Sequence, residues 1–368
     1  MNVSRPTLSA DSEAGIRPKT PPIKVAVRSL GGTISMTSSG QNTGASPTLN
    51  VSALINAAPK IADIATIDAE TVATIPSASL GIVELLSLHH QLDRACDEGA
   101  EGVVVVQGTD TLEESAYLLD LLWARPEPLV FTGAMRTADS TGADGPSNLL
   151  AAVSVAASPD ASGRGCLVVM DDEIHHARSV RKMHTTSLSA FSSPAGGPAG
   201  LMHEGSVRFY APASGHEHLA IRSGAPIPKV ALIRISLGDD TELLKAATTH
   251  YDGVVIEALG GGHVPAWWVD PLLEAAARMP VVLASRTGCG PLLESSYNFR
   301  GSEKQLLNSG LVSAGDLDGL KARILLIATL MGEANRRFNE NVFTFHSQRS
   351  AGNLAIARAR SIYNIEVS

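Results

Sequence analysis

The chain has 368 residues, enough for two domains of ordinary size or one large one with an appendage. Hydrophobic residues at 44% and charged ones at 18% place it among soluble globular proteins, and its longest apolar runs, VVVV at 103 and ILLIATLM at 324, are too short to span a bilayer. A formal charge of -8, with no basic stripe, aromatic ladder or zinc-type Cys/His spacing, argues against a nucleic-acid partner.

Residues 1–22 mix both charge signs with several prolines and lack the apolar core of a signal peptide, so they read as a flexible tail on a cytoplasmic protein. Cys96, Cys166 and Cys289 are odd in number and widely separated, which fits a reducing compartment better than a disulfide framework. From Ile23 onward, short β-branched runs alternate with longer helical patterns, the signature of βαβ units and a mainly parallel sheet covered on both faces. Strands are predicted in KVAVRSL at 24, IADIATI at 61, GVVVVQG at 102, PLVFTG at 128 and CLVVMDD at 166. Residues 81–99, 111–123 and 146–157 repeat apolar positions every three or four residues and predict helices. The result is a larger, doubly wound N-terminal α/β domain over 23–210.

Regular signals fade between about 192 and 228, and 211–228 reads as a linker rich in Pro, Gly and His. A second series then follows: strand KVALIRI at 229, helix TELLKAATT at 241, strand GVVIEAL at 253, helix 266–278, strand PVVLAS at 280 and helix GLKARILLIATLM from 319. These predict a smaller C-terminal α/β domain over 229–368.

Ligands of parallel sheets sit outside the carboxyl ends of the strands, so polar residues just after a strand are the candidates for chemistry. They are Thr33 after Gly31-Gly32, Ser77 in TIPSAS, Thr109 and Asp110 after VVVVQG, Ala134 in the turn after VFTG, and Asp171 and Asp172 after CLVVM. Their convergence predicts a small-molecule site. Plainer readings compete: Thr33 as a turn residue, and Thr109 or Asp110 as the N-cap of the helix at TLEES with Glu113 or Glu114 as capping-box partner. GGTIS, GGGHV and TGCGP lack the glycine spacing of phosphate loops and dinucleotide fingerprints, which argues against nucleotides. The histidines of DDEIHHARSVRKMHTT invite a metal reading. His175 and His176, however, face opposite sides of an extended strand, with no further ligand at suitable spacing, so structural or surface roles are favoured and no metal is assigned. Lys182 in that segment is either a solvated charge or, if buried beside Asp110, a candidate base.

Taken together, GGTIS at 31, QGTDTLEESA at 107, FTGAMR at 131 with DGPSNL at 144, and VMDDEIHHARSVRKMHTT at 169 resemble, in order, the motifs of the bacterial-type L-asparaginases and glutaminase-asparaginases. The resemblance spans about residues 23–335. It implies hydrolysis of the side-chain amide of L-asparagine, with glutamine as a possible second substrate and no metal or organic cofactor. It implies Thr33 as the nucleophile that forms an acyl-enzyme, and Thr109, Lys182 and Asp110 as a hydroxyl, amine and carboxylate relay. Asp110 would also bind the substrate's α-amino group, Ser77 and nearby backbone its α-carboxylate, and the Ala134 turn its amide. The implied assembly is a homotetramer, a dimer of dimers.

The chain departs from the family in its lid, where SMTSSGQNTGASPT lacks the tyrosine that usually assists the nucleophile. Ala78 stands where many members have glutamine, and Gly261 where an asparagine is common. The expected helper acid falls near Glu294 or Tyr297, and Tyr297 could reach a neighbouring subunit's site in place of the missing tyrosine or pack in its own domain. Two other functions compete with the enzyme: a non-catalytic amino-acid sensor, and the asparaginase-like subunit of a tRNA-dependent amidotransferase, for which a 22-residue tail is too short to supply the extra N-terminal domain.

Overall fold

A computed structural model describes residues 23–38, 44–332 and 338–348; the tail predicted over 1–22 lies outside them. The N-terminal part contains β1 (Lys24–Ser29), β2 (Met36–Ser38), β3 (Ala45–Pro47), α1 (Val51–Asn56), β4 (Thr66–Thr71), α2 (Ile82–Asp97), β5 (Gly102–Val106) and α3 (Leu112–Leu122). It continues with β6 (Leu129–Thr132), α4 (Gly145–Ala156), β7 (Cys166–Met170), β8 (Glu173–His176), β9 (Arg181–Lys182), β10 (Phe191–Ser192), β11 (Gly200–His203) and β12 (Ser206–Phe209). The C-terminal part adds β13 (Val230–Arg234), α5 (Glu242–His250), β14 (Gly253–Ala258), α6 (Val269–Ala276), β15 (Val281–Ser285), α7 (Glu303–Asn308), β16 (Val312–Ser313), α8 (Gly319–Gly332) and α9 (Glu340–Ser347).

Eight strands form the large sheet in the order β12-β11-β8-β7-β6-β5-β1-β4, of which β4, β1, β5, β6 and β7 run parallel. Its inner strands are apolar runs because both faces are covered. Along β5, Val103 and Val105 join one core with α2 and α3, whereas Val104 and Val106 join the other with α1 and α4, so the two-residue period of the strand separates the layers. After β4 the chain crosses β1 to lay down β5 on its far side. This reversal of strand order opens a crevice at the carboxyl ends of β1 and β5.

The smaller sheet is parallel throughout, in the order β13-β14-β15-β16. Helix α8 lies against β13, β14 and β15 on one side and against α3 on the other. One continuous apolar core therefore runs from Phe131 and Leu118 through Leu325 and Leu326 to Val255 and Val282. The two sheets share a buried helix pair and not merely a linker.

Three sequence expectations are corrected. The strand predicted at 61 is displaced: Pro59 starts a 3-10 turn over Pro59–Asp63, and the strand is the polar TIDAET that follows, an edge strand without an apolar run to announce it. Within the stretch where signals fade, β11 and β12 form a hairpin whose two-residue turn puts Glu204 at φ 50° and Gly205 at φ 74°, the left-handed pair of tight hairpins. Both strands are short and partly exposed, β12 at the sheet edge and β11 next to it, which hides them from periodicity. The helix predicted over 266–278 begins as a 3-10 turn, Ala266–Trp268, and becomes α-helical only over Val269–Ala276. Phe131, fully buried in β6, tests the central packing: Phe131→Ala should cost about 3–5 kcal/mol in urea unfolding, as large aromatic deletions do in close-packed cores.

Candidate active site

The crevice is assembled by glycines. Leu30 N–H still bonds Val106 O at 2.8 Å, and the chain then turns through Gly31 at φ 96° and Gly32 at φ 98°. A Cβ on Gly32 would lie 2.2 Å from Gly108 N, and one on Gly108 would lie 2.7 Å from Ser77 Oγ and 3.2 Å from Gly32 Cα. Backbone therefore meets backbone where β1 and β5 end. Thr33 and Thr109, 76 residues apart in the chain, are each the residue after a contacting glycine, so both leave the same pair of strand ends. Thr33 opens a 3-10 turn closed by Ser35, whose N–H and hydroxyl both donate to Gly32 O, at 2.9 and 2.8 Å. The half-buried Thr33 hydroxyl bonds no described residue.

Thr109 is buried, and its hydroxyl accepts from Lys182 Nζ at 2.9 Å; the same ammonium donates to Asp110 Oδ1 at 3.0 Å. The Lys182 side chain is 17% exposed and that of Asp110 65%, so the pair has an inner and an open end. The α3 N-cap is Thr111, without a side-chain capping bond, so neither Thr109 nor Asp110 is spent on capping. Ser77 is buried, its Oγ accepting the Asp110 N–H at 3.2 Å and its carbonyl accepting the Thr111 hydroxyl at 2.9 Å. The structure thus brings Ser77, Thr109, Asp110 and Lys182 into one bonded cluster.

The Ala134 turn joins it from the next strand. A Cβ on Gly133 would stand 2.5 Å from Gln107 O and 3.2 Å from Thr109 Cγ2. Ala134 itself is fully buried, and its turn is clamped by two residues that carried no assigned role. Asp144 accepts the N–H groups of Met135 and Arg136 at 2.8 and 2.9 Å, and Asn148 donates to Gly133 O at 3.1 Å while accepting Asp171 N–H at 3.1 Å. The sequence signal was DGPSNL itself, an acid and amide straddling a helix start. Asp171 and Asp172, expected among the site's polar groups, are instead the left-handed turn residues of the β7–β8 hairpin, at φ 51° and 61°.

Tyr297 is 48% exposed, and its described contacts are within the C-terminal part: its N–H donates to Glu303 Oε1 at 2.8 Å and its ring meets His263 edge-on, 4.8 Å between centroids. Glu294 is exposed. At Gly261 a Cβ would strike Leu293 Cδ1 at 2.5 Å, so a larger residue there requires Leu293 to move. The lid begins as the β2–β3 hairpin, anchored by Ala138 N–H on Met36 O at 3.0 Å; residues 39–43 of it lie outside the described residues.

His175 is buried against Ser193 Oγ at 3.0 Å, and His184 Nδ1 accepts the N–H groups of Thr186 and Ser187 at 3.0 and 2.9 Å. Elsewhere, His89, His90 and Asp93 on α2 have ligand atoms within 4.8 Å of one another. Asp93 is already paired with Arg125 at 2.6 Å and His89 Nε2 lies 3.1 Å from Leu122 O, which makes a poor cation site. No helix among the described residues is long and apolar enough to cross a membrane.

A two-domain α/β chain with a hydroxyl, ammonium and carboxylate in contact at the strand ends has the architecture of an enzyme for a small polar substrate. Comparison with known proteins narrows the class. Residues 24–214 match the family model "Asparaginase, N-terminal", and 229–343 match "Glutaminase/Asparaginase C-terminal domain". The chain is 35% identical over 311 residues to a probable periplasmic L-asparaginase of Haemophilus influenzae, covering 82% of this chain and 87% of that protein. It is 34% identical over 313 residues to L-asparaginase 2 of Escherichia coli, with the same two coverages, 82% and 87%. A crystal structure of a probable cytoplasmic L-asparaginase from Campylobacter jejuni superposes with a TM-score of 0.77 at 30% identity, over 88% of this chain and 99% of that one. The chain therefore belongs to the asparaginase family and is an amidohydrolase of that kind. These relatives do not favour the sensor or the amidotransferase-subunit reading.

One outcome tests the crevice's construction and a second the buried His175. Gly32→Ala, which forces a Cβ into Gly108 backbone at a φ that L-residues avoid, should lower turnover by about 10²-fold or more, because ångström-scale misplacement costs that much. Burial, with a smaller contribution from His176, lowers the His175 pKa from 6.5 to about 4. The unfolded chain then binds the extra proton, so stability present above pH 6.5 is lost as pH falls toward 4. His175→Gln should flatten that limb in pH-dependent urea unfolding.

Proposed function

We propose that the chain hydrolyses the side-chain amide of L-asparagine to L-aspartate and ammonia through an acyl-enzyme on Thr33, with L-glutamine as a secondary substrate. The observation that carries this reading is the Lys182 ammonium held between Thr109 Oγ1 at 2.9 Å and Asp110 Oδ1 at 3.0 Å, on backbone that Gly32 and Gly108 bring into contact. Thr33 Oγ attacks the amide carbon. Its proton goes to the departing nitrogen, which leaves as ammonia; a water then attacks the ester, and its second hydrogen returns to Thr33. A hydroxyl is a poor nucleophile near neutral pH and needs a base in reach. Lys182, bonded to the Thr109 hydroxyl and to Asp110, forms with them the relay that helps to activate a hydroxyl or water.

Substrate recognition follows from which groups are open. The exposed Asp110 carboxylate takes the α-ammonium of the substrate, as a charge-assisted bond. Ser77 Oγ, which accepts the Asp110 N–H, keeps its own proton to donate to the α-carboxylate. The Ala134 turn, clamped by Asp144 and Asn148, presents its carbonyl to the amide N–H. Nothing in this scheme calls on a metal or organic cofactor. We place the enzyme in the cytoplasm as a homotetramer built from two dimers, with Tyr297 of one subunit reaching the neighbour's crevice where the lid lacks a tyrosine. Its ring packs on His263 within the C-terminal part and is still 48% exposed, which leaves it open to a neighbouring subunit.

The test is ammonia release from L-asparagine, L-glutamine and D-asparagine. The parent should favour L-asparagine, and Thr33→Ala and Thr109→Val should each lower kcat by about 10³-fold or more, as loss of a nucleophile or its relay does. A Thr33→Ala variant that turns over at the parent rate would contradict the reading. Tyr297→Phe at the parent rate would remove Tyr297 from the mechanism and leave the threonines in place.

A further inference from the structure

Lys321 lies in the first turn of α8 and is 1% exposed, the largest charged side chain among those fully buried in the described residues. Its ammonium has three partners. It donates to Val180 O at 2.6 Å, lies 3.4 Å from Glu113 Oε2 and 3.3 Å from Asp318 Oδ2. Val180 is two residues before Lys182, and Glu113 is in the first turn of α3, three residues after Asp110. A single cation from the C-terminal part therefore grips both chain segments whose side chains meet in the cluster of Thr109, Asp110 and Lys182.

A second clasp runs beside it. Arg181, the neighbour of Lys182, donates to Gly288 O at 2.6 Å and lies 3.6 Å from Asp318 Oδ2. A Cβ on Gly288 would come within 2.1 Å of the Arg181 Nη1, so the loop after β15 is shaped to seat this guanidinium. Burial raises the Asp318 carboxyl, but Lys321, the Lys321 N–H and Arg181 outweigh it and hold the group below its ordinary value. Burial raises Glu113, and Lys321 opposes that rise. The group is thus a cluster of two cations and two acids that spans the domains, with Lys321, Glu113 and Asp318 sealed from solvent and Arg181, 22% exposed, at its rim. Replacing buried ions by apolar residues often costs little stability, so such a cluster is better explained by the geometry it fixes than by the stability it adds.

We propose that Lys321 is a positioning residue for catalysis: it sets the register of the Val180–Lys182 segment against the start of α3, and thereby the contact of Lys182 with Thr109 and Asp110. This rests on the relay proposed above. It predicts that the C-terminal part acts on turnover within one chain, through backbone and not through the substrate.

The experiment is steady-state kinetics with L-asparagine on the full chain for Lys321→Met, Glu113→Gln, Lys182→Met and Leu325→Ala. Leu325→Ala removes core volume one turn along the same helix without touching the clasp. Lys321→Met should lower kcat roughly tenfold or more with KM within about threefold, because misplaced catalytic groups cost turnover and not ground-state binding. Glu113→Gln, which releases only α3, should lower kcat by about threefold. Leu325→Ala, at the same fraction folded, should keep the parent kcat. Parent kcat in folded Lys321→Met, or an equal loss in Leu325→Ala, would overturn the inference. If Lys321→Met does not fold, Glu113→Gln decides in the same way, an unchanged kcat being the contrary result. Lys182→Met at the parent rate would sink the relay and this inference together, whereas an inactive Lys182→Met beside a fully active Lys321→Met would sink this inference alone.

Discussion

The contact between the Gly32 and Gly108 backbones is the constraint on which the rest of the site depends. Adjacent parallel strands lie about 4.8 Å apart, so two chains that turn at the same strand ends must pass at close range. A Cβ 2.2 Å from a backbone nitrogen cannot be accommodated, and only glycine permits the approach. Its consequence is geometric: the next residue on each strand, Thr33 and Thr109, is delivered to the same small volume. Gly108 and Ser77 repeat the device on the third side, and Gly133 on the fourth. The crevice is thereby defined by backbone, which moves less than side chains and needs no reorganisation when charge develops.

Two lysines at this boundary work in different electrostatic settings. Lys182 has one open partner, the Asp110 carboxylate at 65% side-chain exposure, and so remains available to substrate chemistry. Lys321 is sealed at 1% exposure between acids at 9% and 7%, so its ammonium is committed to structure. Exposed pairs of the first kind are screened and individually weak. Buried ones of the second kind tolerate little displacement, because any partner lost leaves an uncompensated charge. Placing the rigid cluster directly behind the open one lets the smaller sheet support the larger sheet's crevice through α8 and α3.

The legibility of the sequence follows burial. Strands covered on both faces, such as Val103–Val106 and Cys166–Met170, read as apolar runs, and the helices over them as three- and four-residue periods. Edge strands carry no such pattern: TIDAET pairs with β1 through polar residues, with Arg28 reaching Asp68 at 2.9 Å, and β11 and β12 are too short and wet to stand out. In the site, Ser77, Thr109 and Asp110 were visible as polar residues after strands, Lys182 read equally as a solvated charge or a base, and the competing N-cap reading fell because Thr111 takes that position. Asp144, Asn148 and Lys321 were not visible as functional residues, since each acts by holding backbone that carries another residue's side chain. A lone lysine in the apolar run GLKARILLIATLM was the one signal Lys321 offered.

The central claim is that Thr33 becomes covalently acylated by the substrate. The direct measurement is mass spectrometry of peptides from the chain, acid-quenched during turnover of L-asparagine. The account predicts an aspartyl ester on the peptide containing Thr33, absent from Thr33→Ala and accumulating when Lys182 is replaced. An aspartyl adduct on the Thr109 peptide alone, or turnover with no adduct in either, would contradict it.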